Sequence, residues 1–228
     1  MLLTMDATDR GGSVALSDDS RLLELRYEDS RRTHTDRVMP VIDQVLSKHN
    51  RTYADIEGIV VAIGPGSFTA VRLAVTTAKT LAMVCEARVL GISSLRAQAE
   101  FSRTHSGQIR SVIDARRDQV YLQDFEQRDS GGLSAPSEPE VRDSDLLLEG
   151  LNPANNPRLL IRSRSSELPE SVDGVSVGSE WMCRPLALAL TAIGQRRSTE
   201  QWDDVDGLAP LYLRSPDARR SKAKEKAK

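Results

Sequence analysis

Gly64-Pro65-Gly66-Ser67-Phe68-Thr69 lies between a continuous apolar run, Ile59–Ile63, and a helical pattern. Gly64 and Gly66 let the backbone turn sharply. Ser67 or Thr69 can cap the free N–H groups of the helix that follows. That helix start also offers an anion its N–H groups and a positive dipole end. Phosphate loops of the GxxxxGK[ST] kind carry a lysine that this loop lacks, so any nucleotide site here is of another type. Ser67 follows a strand and precedes a helix, as a nucleophilic serine does, but Phe68-Thr69 breaks the G-x-S-x-G pattern. A peptidase would also need a base, and nothing in the sequence nominates His34 over His105.

The histidines are His34, His49 and His105. A metal pair on a helix face needs a second ligand one turn on, and from His34 that position is Val38. His34 therefore reads as a capping or surface residue, and no catalytic metal is expected. Cys85 and Cys183 form no CxxC or paired spacing, which excludes a disulfide framework or a zinc ribbon. Two unpaired thiols fit a reducing cytosol. Asp6 interrupts the N-terminus early, so no secretory signal is expected. No apolar run approaches the ~18 residues of a membrane span. The expected location is the cytoplasm, with no membrane partner.

The elements that must position the loop follow from periodicity. The chain has 228 residues, 39% hydrophobic and 28% charged, which is ordinary globular usage. Leu2–Ala7, Ser13–Leu16 and Leu22–Tyr27, separated by turn residues, predict a three-stranded meander. In the next helix Val38, Met39, Val41, Ile42, Val45 and Leu46 cover an arc of roughly 160°, more than one core contact needs. Met39 and Leu46 form the excess edge. In the helix from about Thr69 to Cys85, Val71, Ala74, Val75, Ala78, Leu81 and Ala82 make a core stripe. Leu73, Thr77, Thr80 and Val84 make a second, small and uncharged, suited either to another helix or to a sandwiched place within its own domain. Strands follow at Val89–Ile92, Ile109–Asp114 and Gln119–Phe125, with a polar turn at Ala115–Asp118. Residues 126–158 read as mostly irregular, and Pro185–Arg196 as a helix. From Arg214 to Lys228 there are seven basic and two acidic residues, which leaves −7 on the preceding 213. Such a cationic end is either solvated or in contact with phosphate.

Gly64 to Arg72 resembles the GPGSFTGxR signature of the TsaB (YeaZ-like) family. Met5-Asp6-Ala7-Thr8, His34 with Pro40, Asp114–Tyr121 (DARRDQVY) and Pro210–Arg214 (PLYLR) match in the same order. The likeness covers residues 1–125 well, 126–200 loosely, and the closing motif. It implies an α/β, actin-like (ASKHA) fold of two subdomains, each a central mixed sheet flanked by helices. The expected boundaries are 1–105 and 106–213, with 214–228 a basic, disordered tail. It also implies a role in making N6-threonylcarbamoyladenosine at position 37 of tRNAs reading ANN codons. In the family this subunit is a scaffold, not the catalyst. It pairs with a catalytic paralogue (TsaD), a small ATPase (TsaE) joins, tRNA is met through the complex, and a homodimer forms when the partner is absent.

The resemblance puts the partner contact on Met39, Leu46, Arg72, Leu73, Thr76, Thr77, Thr80 and Val84. No intrinsic cofactor is expected, and a nucleotide at the partner surface is left open. In actin-like ATPases an Asp-x-Gly-Thr turn grips phosphate. Here the turn is Asp6-Ala7-Thr8-Asp9, whose alanine and second acid predict degraded binding. Ala70 stands where the family's loop has glycine, so a local packing change is expected, and weaker partner binding if that glycine lies at an interface. The competing reading is a self-sufficient enzyme, an M22-like peptidase or an actin-like phosphotransferase, with Asp6 and Ser67 at its centre.

Overall fold

The structure is a computed structural model that describes residues 1–8, 11–18, 21–29, 38–127, 132–162, 175–178, 185–196 and 202–214. The expectations for His34, Cys183 and the tail beyond Arg214 lie outside the described residues.

β1 (Leu2–Asp6), β2 (Gly11–Asp18) and β3 (Arg21–Asp29) form the antiparallel meander that alternation and turn residues predict. The helices α1 (Val38–Lys48) and α2 (Phe68–Cys85) flank β4 (Gly58–Ala62) in the chain, and β5 (Arg88–Ile92) follows. β4 and β5 add in parallel, giving the order β3-β2-β1-β4-β5. All of β4 is buried. It reads as an unbroken apolar run because both faces of the sheet are covered. Leu3, Met5, Leu16, Ile59 and Val61 face α1 and α2. Val60, Ala62, Leu90 and Ile92 face α3 (Ser94–Glu100) and α4 (Leu186–Gln195).

One expectation is corrected by α2, whose 18 residues are by length and composition apolar enough to cross a membrane. In the fold its stripe of Val71, Ala74, Val75, Ala78, Leu81 and Ala82 belongs to the core of the first sheet.

In the second sheet β6 (Gln108–Asp114) and β7 (Gln119–Gln127) form a hairpin. β8 (Leu133–Ser134) and β9 (Glu140–Asp143) both pair antiparallel with β7. β10 (Arg158–Arg162) and β11 (Ser176–Gly178) extend β6 in parallel. Read as β8-β7-β6-β10-β11, this order repeats the antiparallel and parallel sequence of the first sheet. The stretch 126–158, expected to be mostly irregular, thus holds strands and buries Leu147 at 2% exposure. β8 buries Leu133 in the second sheet's core, whereas β9 has no buried residue and is held by its pairing to β7.

A buried arginine secures that stretch. Arg110, 2% exposed, pairs with Asp124 through Nε–Oδ1 and Nη2–Oδ2, both 2.7 Å. Its Nη1 donates to the carbonyls of Leu147 (2.9 Å) and Glu149 (2.7 Å). The chain then returns to the first sheet, although a second subdomain was expected to run to 213. α4 lies against β1, β2 and β4. Asp203 N–H bonds the Val89 carbonyl at 2.9 Å, and Leu211 N–H bonds that of Ile63 at 2.7 Å. Lys79 of α2 donates to the carbonyls of Asp206 and Leu208.

α1 is tied to β3 through Glu24, which accepts from Lys48 (2.7 Å), Arg26 (2.9 Å) and His49 (3.2 Å). The hydrogen bond from Lys48, then that from His49, holds its carboxyl below the usual 4.5. The folded value is depressed, so this stabilisation is present above the unfolded value and lost as pH falls through the folded one. Glu24→Gln should therefore lower stability at neutral pH and flatten the acid limb of urea unfolding followed from about pH 7 to about pH 3. Arg110→Ala leaves the half-buried Asp124 carboxylate and the Leu147 and Glu149 carbonyls without this donor, and should cost about 3 kcal/mol in the same measurement.

Candidate functional site

The glycine-serine loop is held on three sides. Gly64 has φ +97°, a left-handed conformation that favours glycine. Its carbonyl accepts from Ser94 N–H at 2.7 Å, at the start of α3. Ser67 N–H donates to the Thr8 carbonyl at 2.8 Å. A Cβ at Gly66 would stand 2.3 Å from that same oxygen, so only glycine allows the loop to lie on Thr8. Ser67 occupies the N-cap of α2, and its carbonyl accepts from Val71 N–H at 2.8 Å, but its side chain makes no capping bond. The expected hydroxyl cap from Ser67 is thus absent: backbone contact to Thr8, not the hydroxyl, fixes the helix start.

The turn after β1 is closed by its own groups. Asp6 is 3% exposed, and its Oδ1 accepts from Thr8 N–H (2.9 Å) and Thr8 Oγ1–H (2.7 Å). The Thr8 carbonyl is taken by Ser67. The donors with which Thr8 would meet a phosphate are therefore already engaged, and the loop lies across the residue. Neither described histidine bonds Ser67: His49 bonds Glu24, and His105 bonds the Asn156 carbonyl.

Phe68 opens α2 and stacks on Tyr212, with centroids 4.7 Å apart. The Arg72 guanidinium lies 4.6 Å from the other ring partner's centroid, that of Phe68. Thr69, Arg72, Thr76, Thr80, Met83 and Val84 are exposed along the outer side, with Leu73 and Thr77 half-buried. Thr80 Oγ1 donates to the Thr76 carbonyl, so its hydroxyl adds little polarity there. Val84 is 72% and Met83 68% exposed. Met83 was missed, although it continues the row Thr76, Thr80 by three residues. On α1, Met39 is 40% exposed, but Leu46 is 2% exposed and belongs to the core, against the expectation that it lines a partner contact. α1 lies against β2 and β3, and Leu46 is taken into the core there. Ala70, at 8% exposure, packs inward, so its methyl group does not lie on the outer face.

Gly66→Ala should cost about 2 kcal/mol through overpacking on the Thr8 backbone. Gly132→Ala, with nothing within 4 Å of its Cβ, is the control. Urea unfolding checks both, and hydrogen exchange at Ser67 N–H should accelerate in the first variant alone.

The comparisons with known proteins agree with this architecture. The family model described as TsaD, tRNA N6-adenosine threonylcarbamoyltransferase, matches residues 28–149. The tRNA threonylcarbamoyladenosine biosynthesis protein TsaB of Bacillus subtilis (strain 168) is 30% identical over 226 residues, 95% of each chain. The protein of the same name from Escherichia coli (strain K12) is 30% identical over 186 residues, 81% of this chain and 73% of that one. The solved structure of YeaZ from Pseudomonas aeruginosa superposes with a TM-score of 0.71, at 23% identity, over 93% of this chain and 99% of that one. A second structure from that organism, described as similar to peptidase YEAZ, gives 0.73 over the same shares. The fold is therefore the actin-like α/β fold of those structures. With a glycine-serine loop seated on the first strand turn and this likeness over nearly its whole length, the chain belongs to the TsaB family of tRNA threonylcarbamoyladenosine biosynthesis proteins.

Proposed function

We propose that this chain is a non-catalytic subunit in the formation of N6-threonylcarbamoyladenosine at position 37 of tRNAs reading ANN codons. It acts by pairing with a catalytic TsaD-type paralogue and thereby activating it, and it supports recruitment of a TsaE-type ATPase. The observation that carries the reading is the outer side of α2. Over five turns it presents threonines, Leu73, Met83 and Val84, with Arg72 as its charged member at one end. A face that small and that poor in charge suits close packing by another helix. Met39 of α1 extends the apolar surface in the proposal, while Leu46 supports it from beneath.

The closed turn at Asp6 and Thr8 favours a partner role over phosphoryl transfer by this chain. A nucleotide, where one is used, then belongs to the surface shared with the paralogue, and the chain itself carries no cofactor. In the paralogue's absence the same face supports a homodimer. The place of work is the cytoplasm, where tRNA modification occurs.

Thr80→Arg and Val84→Asp test the reading, because both lie on the exposed side and leave the core stripe intact. Each should weaken pairing with the TsaD-type paralogue about 30-fold or more, as loss of an interface hot spot does. The unfolding midpoint of the isolated chain should stay unchanged. Normal pairing by both variants, or turnover of ATP or peptide by the isolated chain that depends on Asp6 or Ser67, would overturn it.

A further inference from the structure

We infer that residues 202–214 form a clasp that couples the outer side of α2 to the β6–β7 turn and so sets the angle between the two sheets. That a partner tightens the clasp rests on the proposed pairing. Most of the segment belongs to the first sheet. Trp202 lies over Gly58, where a Cβ would meet its ring at 2.8 Å, and the Arg88 guanidinium stands 5.0 Å from the ring centroid. Asp203 takes the edge of β5: its N–H donates to the Val89 carbonyl, and its Oδ2 accepts from Gly91 N–H at 2.7 Å. Leu208 is buried in the core that α2 shares. Leu211 N–H bonds the Ile63 carbonyl, one residue past β4, at 2.7 Å.

Three residues later the same segment is bonded to the second sheet. Arg214 is half-buried, and it donates from Nη1 to the Ala115 carbonyl at 3.1 Å and from Nη2 to Gln119 Oε1. Leu211 to Arg214 therefore joins the end of β4 to the end of β6. The layer of α3 and α4 is another tie between the sheets, and there Gln98 donates to the Leu160 carbonyl at 2.7 Å. Rotation of one sheet against the other about that layer changes the distance from Ile63 to Ala115, and the clasp resists it. The turn that Arg214 holds is strained. Arg116, Arg117 and Asp118 have φ of 61°, 59° and 57°, left-handed values that persist only where the surroundings over-determine them. Asp114 Oδ1 accepts from Arg116 N–H at 2.6 Å, and the Asp118 carbonyl accepts from Ser144 N–H at 2.8 Å. Arg214 adds a hold from the first sheet, and its loss lets the turn relax.

Tyr212 connects this hold to α2. It stacks on Phe68 at 4.7 Å between centroids, and the Arg72 guanidinium lies 4.6 Å from the Phe68 centroid. Phe68 heads the row Arg72, Thr76, Thr80, spaced by four residues along the outer side of the helix. A partner laid along that row presses Phe68 onto Tyr212, two residues from Arg214. Pairing and closure of the clasp then favour each other by the same factor.

The test is amide hydrogen exchange of the full chain, alone and with its TsaD-type paralogue. In the chain alone, Arg214→Ala should speed exchange at Ala115 N–H and Ser144 N–H about tenfold, an ordinary size for coupling between sites. The amides of β2 should not change. Phe68→Leu, which alters the stack and not the turn, should speed the same two amides. The two substitutions together should add no more than about twofold to Arg214→Ala, because both open one clasp. Saturating paralogue should slow both amides about tenfold in the wild-type chain and not in Arg214→Ala. Unchanged exchange in Phe68→Leu, full multiplication of the two effects, or equal slowing by the paralogue with and without Arg214 would overturn the inference. A wild-type chain that never pairs removes the proposed function instead, and exchange in the unpaired variants still decides the clasp.

Discussion

The hydrogen bond from Ser67 N–H to the Thr8 carbonyl, 2.8 Å long, is the constraint on which the rest of this molecule is arranged. It joins the end of β1 to the loop after β4, two points far apart in the chain. Gly66 must lie against Thr8 for it to form. Once it has formed, α2 has a fixed starting point, and its small-residue stripe is delivered to the sheet. The turn at Asp6 is sealed by the same contact. The Ile63 carbonyl just before the loop accepts from Leu211, so the chain's end is drawn to this point as well.

The direction imposed on α2 then decides what each of its faces does. Alanines and valines on one side let the helix sit low on β4. Threonines, Met83 and Val84 on the other are left facing out, because no described element covers that side. Periodicity assigned Val71, Ala74, Val75, Ala78, Leu81 and Ala82 to the core, where they lie, but left open whether the second stripe meets another helix or an element of its own domain. The same limit explains Leu46. An arc of roughly 160° on α1 is wider than a flat contact needs, but against β2 and β3 the helix buries Val41, Ile42, Val45 and Leu46, leaving Val38 half-buried and Met39 exposed.

Much of the fold was legible because its signals are local. β4 is a run of apolar residues between glycines, the meander alternates around turn residues, and α2 repeats at helical spacing. The loop was legible too, since Gly-Pro-Gly between a strand and a helix leaves few conformations. β9 and β11 were not, because backbone pairing to a neighbour carries no signature in the paired segment itself. Arg110 was passed over for a related reason. An arginine in a strand reads as solvent-facing until Asp124 and two carbonyls are placed around it.

What the sequence by itself determined is the set of parts: the strand and helix identities, the loop's sharp turn and the family likeness. Each depends on residues close together in the chain. The tertiary structure alone decided the doubled sheet order, the return of α4 and residues 202–214 to the first sheet, and the meeting of Arg214 with the left-handed turn at Arg116–Asp118. These depend on groups some hundred residues apart, and such groups acquire neighbours only when the two sheets close on their shared layer of α3 and α4.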